Sequence, residues 1–456
     1  KILALALSIT GIFLTLSFYF VSRNTLQEWD YRIVDLFFRI RGPIPPSDKV
    51  AIVALDRESS RQLQRKTMGW KRSDFAEAIR ALTDAGADLI AIDYVFAIAD
   101  QDPTEDAALR GAIAEAANVI LASDISSRNR ALPFAPFREQ EVGEGFINFL
   151  PDPDGVVRQI PPLYATTTPE GQVQLDFPFS VQIALAHLYP EGDFQVNLSR
   201  SGEVTLGDLR IPYWEKSASA GFVINFTGPP EHFPILPFYK VLRREFRKEQ
   251  IAAKIILIGS MNPYFHDYYT TAYRMPAARA ETVTVEKKAM QSMFGVEIHA
   301  NAIDTLIRRR FLAPIGLRTL VFALIFTGGL AVFLSIMARW NAFLIAGVSL
   351  LILGLLFFGS YMLFVQGWIV RGAPFYFCVI GVVLTGILAR QAEEASERRY
   401  ITQLFGRYVA ANVVEELLRN RDLVQLSGKK QRLTIFFSDI RGFTSMSEKM
   451  KPEEVS

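Results

Sequence analysis

The sequence predicts a two-part fold: a large α/β domain outside the membrane and an α-helical transmembrane bundle of four spans. Three observations predict it. Half of the 456 residues are hydrophobic and the mean hydropathy is +0.19, too apolar for an ordinary soluble chain and too polar for a bare membrane bundle. Four stretches approach the roughly 20 apolar residues that a span requires. Between the first and the second, short buried-type runs alternate with helical patterns, as in a layered α/β domain.

The first apolar stretch, residues 2–21, carries no charge. It ends in Phe18-Tyr19-Phe20-Val21, too bulky for a signal-peptidase site, so it reads as an uncleaved anchor. The other three cover residues 321–338, 342–365 and 373–389. Four spans put both termini on one side and residues 22–313 on the other. Arg339, Arg390, Arg398 and Arg399 favour a cytoplasmic C-terminus, whereas Arg308, Arg309 and Arg310 vote against it. Long loops translocate largely regardless of charge, so those three weigh little. No acid or base lies near the middle of a span, which argues against a transporter.

The net charge of +2 says little about partners, and with no long basic run nucleic acid is not an expected one. The single cysteine, Cys378, excludes an internal disulfide framework. The outer domain therefore needs an ordinary hydrophobic core.

Within residues 22–313, strands are expected at 50–55, 88–96, 119–122, 221–226 and 254–258. Helices are expected from a Ser73 cap to Asp84, over 105–117 and over 295–310. Pro151-Asp152-Pro153-Asp154-Gly155 has turn chemistry, after which Val156, Val157 and Arg158 resume a strand. A second loop, Gly259-Ser260-Met261-Asn262, follows a buried strand, and strand ends in α/β sheets are common ligand sites. Asp56, Arg72, Asp93, Asp154, Arg158 and Asp267 are candidates for a sensor site; the plainer alternative is that they cap turns and pair with one another. His187, His232, His266 and His299 lack metal-ligand spacing and read as ordinary polar positions.

An ordered series of segments resembles the CHASE type 2 sensor domain of bacterial receptors. It includes Asp35-Leu36-Phe37-Phe38-Arg39, Ile52-Val53-Ala54-Leu55-Asp56, Gly69-Trp70-Lys71-Arg72 and Ile92-Asp93-Tyr94-Val95-Phe96. Gly145-Phe146-Ile147-Asn148, the 152–158 turn, Asn225-Phe226-Thr227-Gly228-Pro229, the 254–259 strand and Gly295-Val296-Glu297-Ile298-His299-Ala300 continue it. Lys71 stands where the family usually has proline. The resemblance implies an extracytoplasmic sensor with an unknown signal.

After Arg390 the sequence turns charged, with apolar positions at helical spacing, and a second helix is expected over 410–418. This reads as a coupling helix in a parallel dimer. Residues 433–437 then have the pattern of a buried strand ending near Asp439. A carboxylate there can hold Mg²⁺, and a following helix start can offer N–H groups to phosphate.

Asp439-Ile440-Arg441-Gly442-Phe443-Thr444 is similar to the first metal motif of class III adenylyl and guanylyl cyclases. Phe405-Gly406-Arg407-Tyr408-Val409, Val413-Val414-Glu415-Glu416-Leu417 and Ser445-Met446-Ser447-Glu448 flank it as in that family. The resemblance implies conversion of ATP to cyclic AMP and pyrophosphate by a homodimer holding two Mg²⁺ or Mn²⁺ ions. Asp439 and the Ile440 carbonyl would bind metal, and Gly442, Phe443 and Thr444 would hold phosphate. Guanylate cyclase and a non-catalytic membrane sensor or scaffold are the alternatives. A histidine-kinase output is disfavoured because no histidine follows His299.

The expected organisation is an N-terminal anchor at 1–21, the outer domain at 22–313 and three transmembrane helices at 314–390. A coupling helix and the start of the cyclase region follow at 391–430, then the first strand and metal motif of an α+β cyclase domain at 431–456. Because the chain starts at Lys1 without methionine and stops inside a motif at Ser456, both ends are expected to be trimmed. The resemblance puts the second metal aspartate, the base-selecting residues and the transition-state Asn and Arg beyond Ser456, so the chain alone is expected to be inactive. The expected setting is the bacterial inner membrane, with lipid around the spans.

Overall fold

The computed structural model describes residues 11, 13, 15–19, 26–65, 69–125, 131–167, 173–199, 203–212, 221–273, 292–337, 342–405, 432 and 434–451. The chain divides into two compact units, residues 1–387 and 388–456.

Six parallel strands form the centre of the first unit: β1 (Val50–Leu55), β2 (Leu89–Asp93), β3 (Val119–Ser123), β4 (Gly143–Phe146), β5 (Ile235–Pro237) and β6 (Ile255–Ser260). Their spatial order is β5-β1-β6-β2-β3-β4. The register sets Val50 against Ile255 and Ile255 against Leu89, so the carboxyl ends finish together at Leu55, Ser260 and Asp93. All six residues of β1 and all five of β3 are buried. That explains why these strands read as continuous apolar runs rather than alternating ones: a parallel sheet is covered on both faces.

Successive side chains serve opposite cores, as the two-residue period requires. On one face Val53, Ile92, Leu121 and Ile256 pack against helices α3 (Arg72–Asp84), α4 (Pro103–Ala116) and α6 (Phe238–Leu242). On the other, Ile52, Ala91, Ile120 and Leu257 pack against α5 (Phe179–Leu188) and α7 (Gly295–Ile307). Close approach of α7 depends on Gly259, where an added Cβ would lie 2.7 Å from the Val296 side chain. A further core joins α1 (Gln27–Arg41), α5, α7 and a small antiparallel sheet to Phe364 and Ile369 beside the apolar helices.

Three long helices follow: α8 (Leu317–Met337), α9 (Ala342–Val365) and α10 (Ala373–Phe405). Among the described residues one stretch, Gly347–Val365, is long and apolar enough to cross a membrane, with a hydropathy of 2.3. The helices turn large apolar side chains outward, including Phe322, Phe326, Leu350 and Phe358. Ala313–Pro314, before α8, pairs in parallel with Trp368–Ile369, after α9. The two helices therefore form a hairpin whose open ends are tied together.

Several expectations are corrected. Ser73 does not cap α3. It is the helix's second residue, and its backbone N–H and hydroxyl donate to Glu105 of α4 at 2.6 and 3.0 Å. Asp74 closes the helix start instead, accepting from the Lys71 N–H at 3.0 Å. Only Phe222–Val223 of the 221–226 run is a strand, antiparallel to Gln159–Ile160 and outside the main sheet. Val156 makes only an isolated bridge, to Thr270, and Arg158 precedes the short strand.

In the second unit, residues 434–440 form neither strand nor helix. Ile435, Phe436 and Phe437 are 71%, 86% and 88% exposed, the reverse of the buried strand expected there. A strand is completed by hydrogen bonds to a neighbour, and among the described residues of this unit none pairs with it. Among the described residues, the expected start of an α+β domain holds one short helix, α11 (Phe443–Ser447), capped by Gly442 at φ 81°. The expected helix at 410–418 and position 433 lie outside the described residues, as does most of the anchor at 1–21.

Candidate sensor site

The six candidate sensor residues fall into four places. Asp56 caps the short helix α2 (Arg57–Gln62), accepting from the Ser59 N–H at 2.7 Å. Arg72, at the first turn of α3, pairs with Asp106 and lies 3.9 Å from Asp100. Both positions are explained by local structure.

Asp154 and Arg158 meet in a buried ion cluster. The Arg158 guanidinium donates to Asp35 at 2.8 and 2.8 Å, to Asp154 at 2.9 and 2.8 Å and to Asp152 at 3.1 Å. It also lies 4.8 Å over the Tyr31 ring. The 152–155 turn makes this possible: Gly155 at φ 78° folds the chain back, and its N–H donates to the Asp152 carbonyl at 2.8 Å. Arg158 holds the Asp154 carboxyl below its ordinary range. Burial outweighs the same guanidinium at Asp35, whose pKa is raised. With its hydrogen bonds filled by aspartates, the cluster clamps α1 to the turn and leaves little for a ligand.

Asp93 and Asp267 instead come together at a cavity. It has a volume of about 350 Å³ and is lined by Asp93, Asp124, Ile147, Asn148, Phe149, Asp267, Tyr269 and His299. Three of these come from the carboxyl ends of adjacent parallel strands: Asp93 ends β2, Asp124 follows β3 and Asn148 follows β4. Ligands of open α/β sheets bind in that position. Asn148 donates to Asp124 at 2.7 Å and accepts from the Ile125 N–H at 2.7 Å, fixing the floor.

Asp267 hydrogen-bonds Tyr269, and burial raises its pKa to about 6. Asp93 is raised well above its ordinary range, by burial first and by the Asp267 charge second. Asp267 sits over the start of α7, where a Cβ on Gly295 would lie 2.7 Å from each carboxylate oxygen. Glycine is therefore needed at that contact.

His299, on α7, is 2% exposed. Burial pushes its pKa down to about 3, against a weaker opposing effect of the Ile147 backbone. Neither ring nitrogen reaches a partner at hydrogen-bond geometry. Its ring packs on Phe149 at 4.5 Å and Phe179 at 5.3 Å between centroids. Reading His299 as an ordinary polar position missed this environment. Asp124, Asn148 and Tyr269 were also missed; the available signal was that Ile147-Asn148 and His299 lie within segments of the sensor resemblance.

A second pocket, of about 470 Å³, opens between Arg57, Arg61 and Tyr264 beyond β1 and β6. Asp439 accepts from the Ile440 N–H at 2.9 Å, and the Ile440 carbonyl accepts from Phe443 at 3.1 Å. Among the described residues no group of three or more acidic, histidine or cysteine side chains is placed to hold a metal.

The first unit thus presents a polar cavity at the carboxyl edge of a parallel sheet, in a domain packed against apolar helices. Residues 7–334 match the family model of the CHASE2 domain, and the chain belongs to that family. The match reaches beyond 22–313 on both sides, into the flanking apolar segments. No curated protein and no solved structure matches the chain. CHASE2 is an extracytoplasmic domain, and the chain is accordingly a signal-sensing receptor.

Proposed function

We propose that this receptor is a membrane-bound class III nucleotide cyclase, in which the outer CHASE2 domain controls cytoplasmic conversion of ATP to cyclic AMP and pyrophosphate. The observation that carries the reading is the run Asp439-Ile440-Arg441-Gly442-Phe443-Thr444, with its flanking segments. Asp439 and the Ile440 carbonyl supply hard oxygen donors, the type Mg²⁺ and Mn²⁺ require. Magnesium often takes one or two carboxylates plus substrate phosphates, so this donor set fits part of such a site. When bound, two ions would stabilise the attacking and leaving oxygens of an in-line displacement. Gly442, Phe443 and Thr444 would present backbone N–H groups to the terminal phosphates, and a homodimer would complete the site.

The α8–α9 hairpin supports a four-span arrangement: its tied ends return the chain to the sensor's side, and α10 leads away again. α10 is one helix from Ala373 to Phe405. It begins against the sensor, because Asp30 of α1 accepts from the Ala373 N–H at 2.8 Å. An acid at a helix N-terminus also interacts favourably with the helix dipole. Movement of α1 thus has a direct purchase on α10.

The test is cyclic nucleotide production in bacterial membranes by the receptor with its full cytoplasmic region, given ATP or GTP with Mg²⁺ or Mn²⁺, beside Asp439→Ala. Metal-dependent cyclic AMP lost in the variant is the expected result. Cyclic GMP would make it a guanylate cyclase. No product from either nucleotide, with folded receptor in the membrane, would leave a non-catalytic sensor or scaffold.

A further inference from the structure

The 350 Å³ cavity combines three features that restrict what it can hold. Its walls carry the carboxyl groups of Asp93, Asp124 and Asp267, and no lysine or arginine lines it among the described residues. Burying carboxylates without a cation is costly. His299 adds a ring on a side chain only 2% exposed, with neither nitrogen at hydrogen-bond geometry to a partner and only the Ile147 backbone acting weakly on it. A neutral imidazole offers one acceptor and one donor; the Ile147 backbone acts on the donor side, and the site supplies no group to donate to the acceptor nitrogen. Finally, Phe149 and Tyr269 stand with ring centroids 5.0 Å apart, giving the cavity an aromatic side.

A bare divalent ion suits this arrangement poorly. The cavity is about ten times the roughly 30 Å³ that one water occupies in the liquid. No three ligand side chains converge among the described residues. An ion there would keep most of its water and leave the aromatic side unused. An anion would meet the carboxylates. A small organic cation meets every wall: carboxylates accept from an ammonium group, His299 accepts a further N–H, and the aromatic rings cover a short alkyl part.

We propose that the outer pocket recognises a small protonated amine, held by Asp93 and Asp267 with His299 as a hydrogen-bonding partner. This deepens the sensor reading and rests on it, but does not depend on the nature of the cytoplasmic output.

The experiment is isothermal titration of the full chain in lipid nanodiscs at pH 7.5 with n-propylammonium chloride. Tetramethylammonium chloride carries charge without N–H donors, and calcium chloride tests for a metal site. Saturable binding of propylammonium, weaker binding of tetramethylammonium and little response to calcium are expected. Asp93→Asn and Asp267→Asn should each weaken propylammonium binding by about tenfold or more, the scale of a charged hydrogen bond. His299→Phe, which keeps a ring and removes the nitrogens, should weaken it while thermal unfolding still shows a folded domain. If Asp93→Asn does not fold, Asp267→Asn and His299→Phe decide the matter.

No saturable binding of propylammonium to the wild-type chain overturns the proposal, as does unchanged binding in the folded variants. Calcium binding in place of amine binding would convert the pocket into a metal site and equally overturn it. None of these results bears on cyclic nucleotide output, so failure here is distinguishable from failure of the cyclase reading.

Discussion

Replacing Arg158 with methionine probes the clamp between α1 and the 152–158 turn. The guanidinium is 3% exposed, and the side chains of its partners Asp152, Asp154 and Asp35 are 0%, 20% and 14% exposed. Methionine preserves much of the volume but removes all five hydrogen bonds and leaves the acids without their shared cation. Removing one partner of a buried ion pair costs about 3–5 kcal/mol. Asp154 and Asp35 retain some access to water, and Asp152 keeps the Gln159 amide at 3.2 Å. The lower end, about 3 kcal/mol, is therefore expected.

Thermal unfolding in detergent, followed by tryptophan fluorescence, should show a midpoint lower by about 6–10 °C. The pH dependence gives a second signature. Arg158 holds Asp154 below its ordinary pKa. That contribution is present above the ordinary carboxylate range and fades as pH falls through the lowered value. The deficit of Arg158→Met should accordingly be largest near neutrality and shrink towards pH 4 as the stranded carboxylates protonate. A variant within about 0.5 kcal/mol of wild type, the range of ordinary surface substitutions, would refute the buried clamp. So would a deficit that grows with acid.

Three further outcomes follow from the packing. Gly295→Ala places a Cβ 2.7 Å from both Asp267 oxygens and should cost about 1–3 kcal/mol in a denaturation experiment. His299, whose pKa is depressed to about 3, loses its stabilising contribution as pH falls from about 6.5 through the folded value; His299→Phe should flatten the loss of thermal stability across that window. Asp267 is raised to about 6, so its contribution is greatest below about pH 4 and is lost as pH rises through 6; Asp267→Asn should raise the unfolding temperature more at pH 7 than at pH 4.

The sheet was largely legible in the sequence. β1, β2, β3 and β6 were visible because strands covered on both faces are continuous apolar runs bounded by polar residues. The α7 helix was visible for the same reason of composition, with twelve of its thirteen residues buried. The edge strand β4, Gly143–Phe146, was harder to see because two glycines interrupt it. Asp93 and Asp267 stand far apart in the sequence, and their meeting depends on contacts between residues 174 positions apart, which no local pattern encodes. His299 has polar chemistry but an aromatic setting supplied by Phe149 and Phe179, equally remote in sequence. The strand expected at 433–437 is not formed among the described residues, for the converse reason. Its composition is of β type, but strand formation needs a neighbour that composition does not supply.

Coupling between the sensor and α10 is tested most directly at Asp30. Burial raises its pKa to about 7, the Ala373 N–H and Arg371 opposing the rise. The contact joins α1 to the first turn of the helix that leads to the proposed catalytic region. Cyclic nucleotide output should be measured in membranes for the receptor with its cytoplasmic region complete, as wild type and as Asp30→Ala, at matched protein and with Asp439 intact. Coupling through this contact predicts a change in basal or signal-dependent output of about fivefold or more, the lower end of typical coupling between sites. Equal output from a folded Asp30→Ala receptor under every condition would contradict control of the cytoplasmic region through α1 and α10.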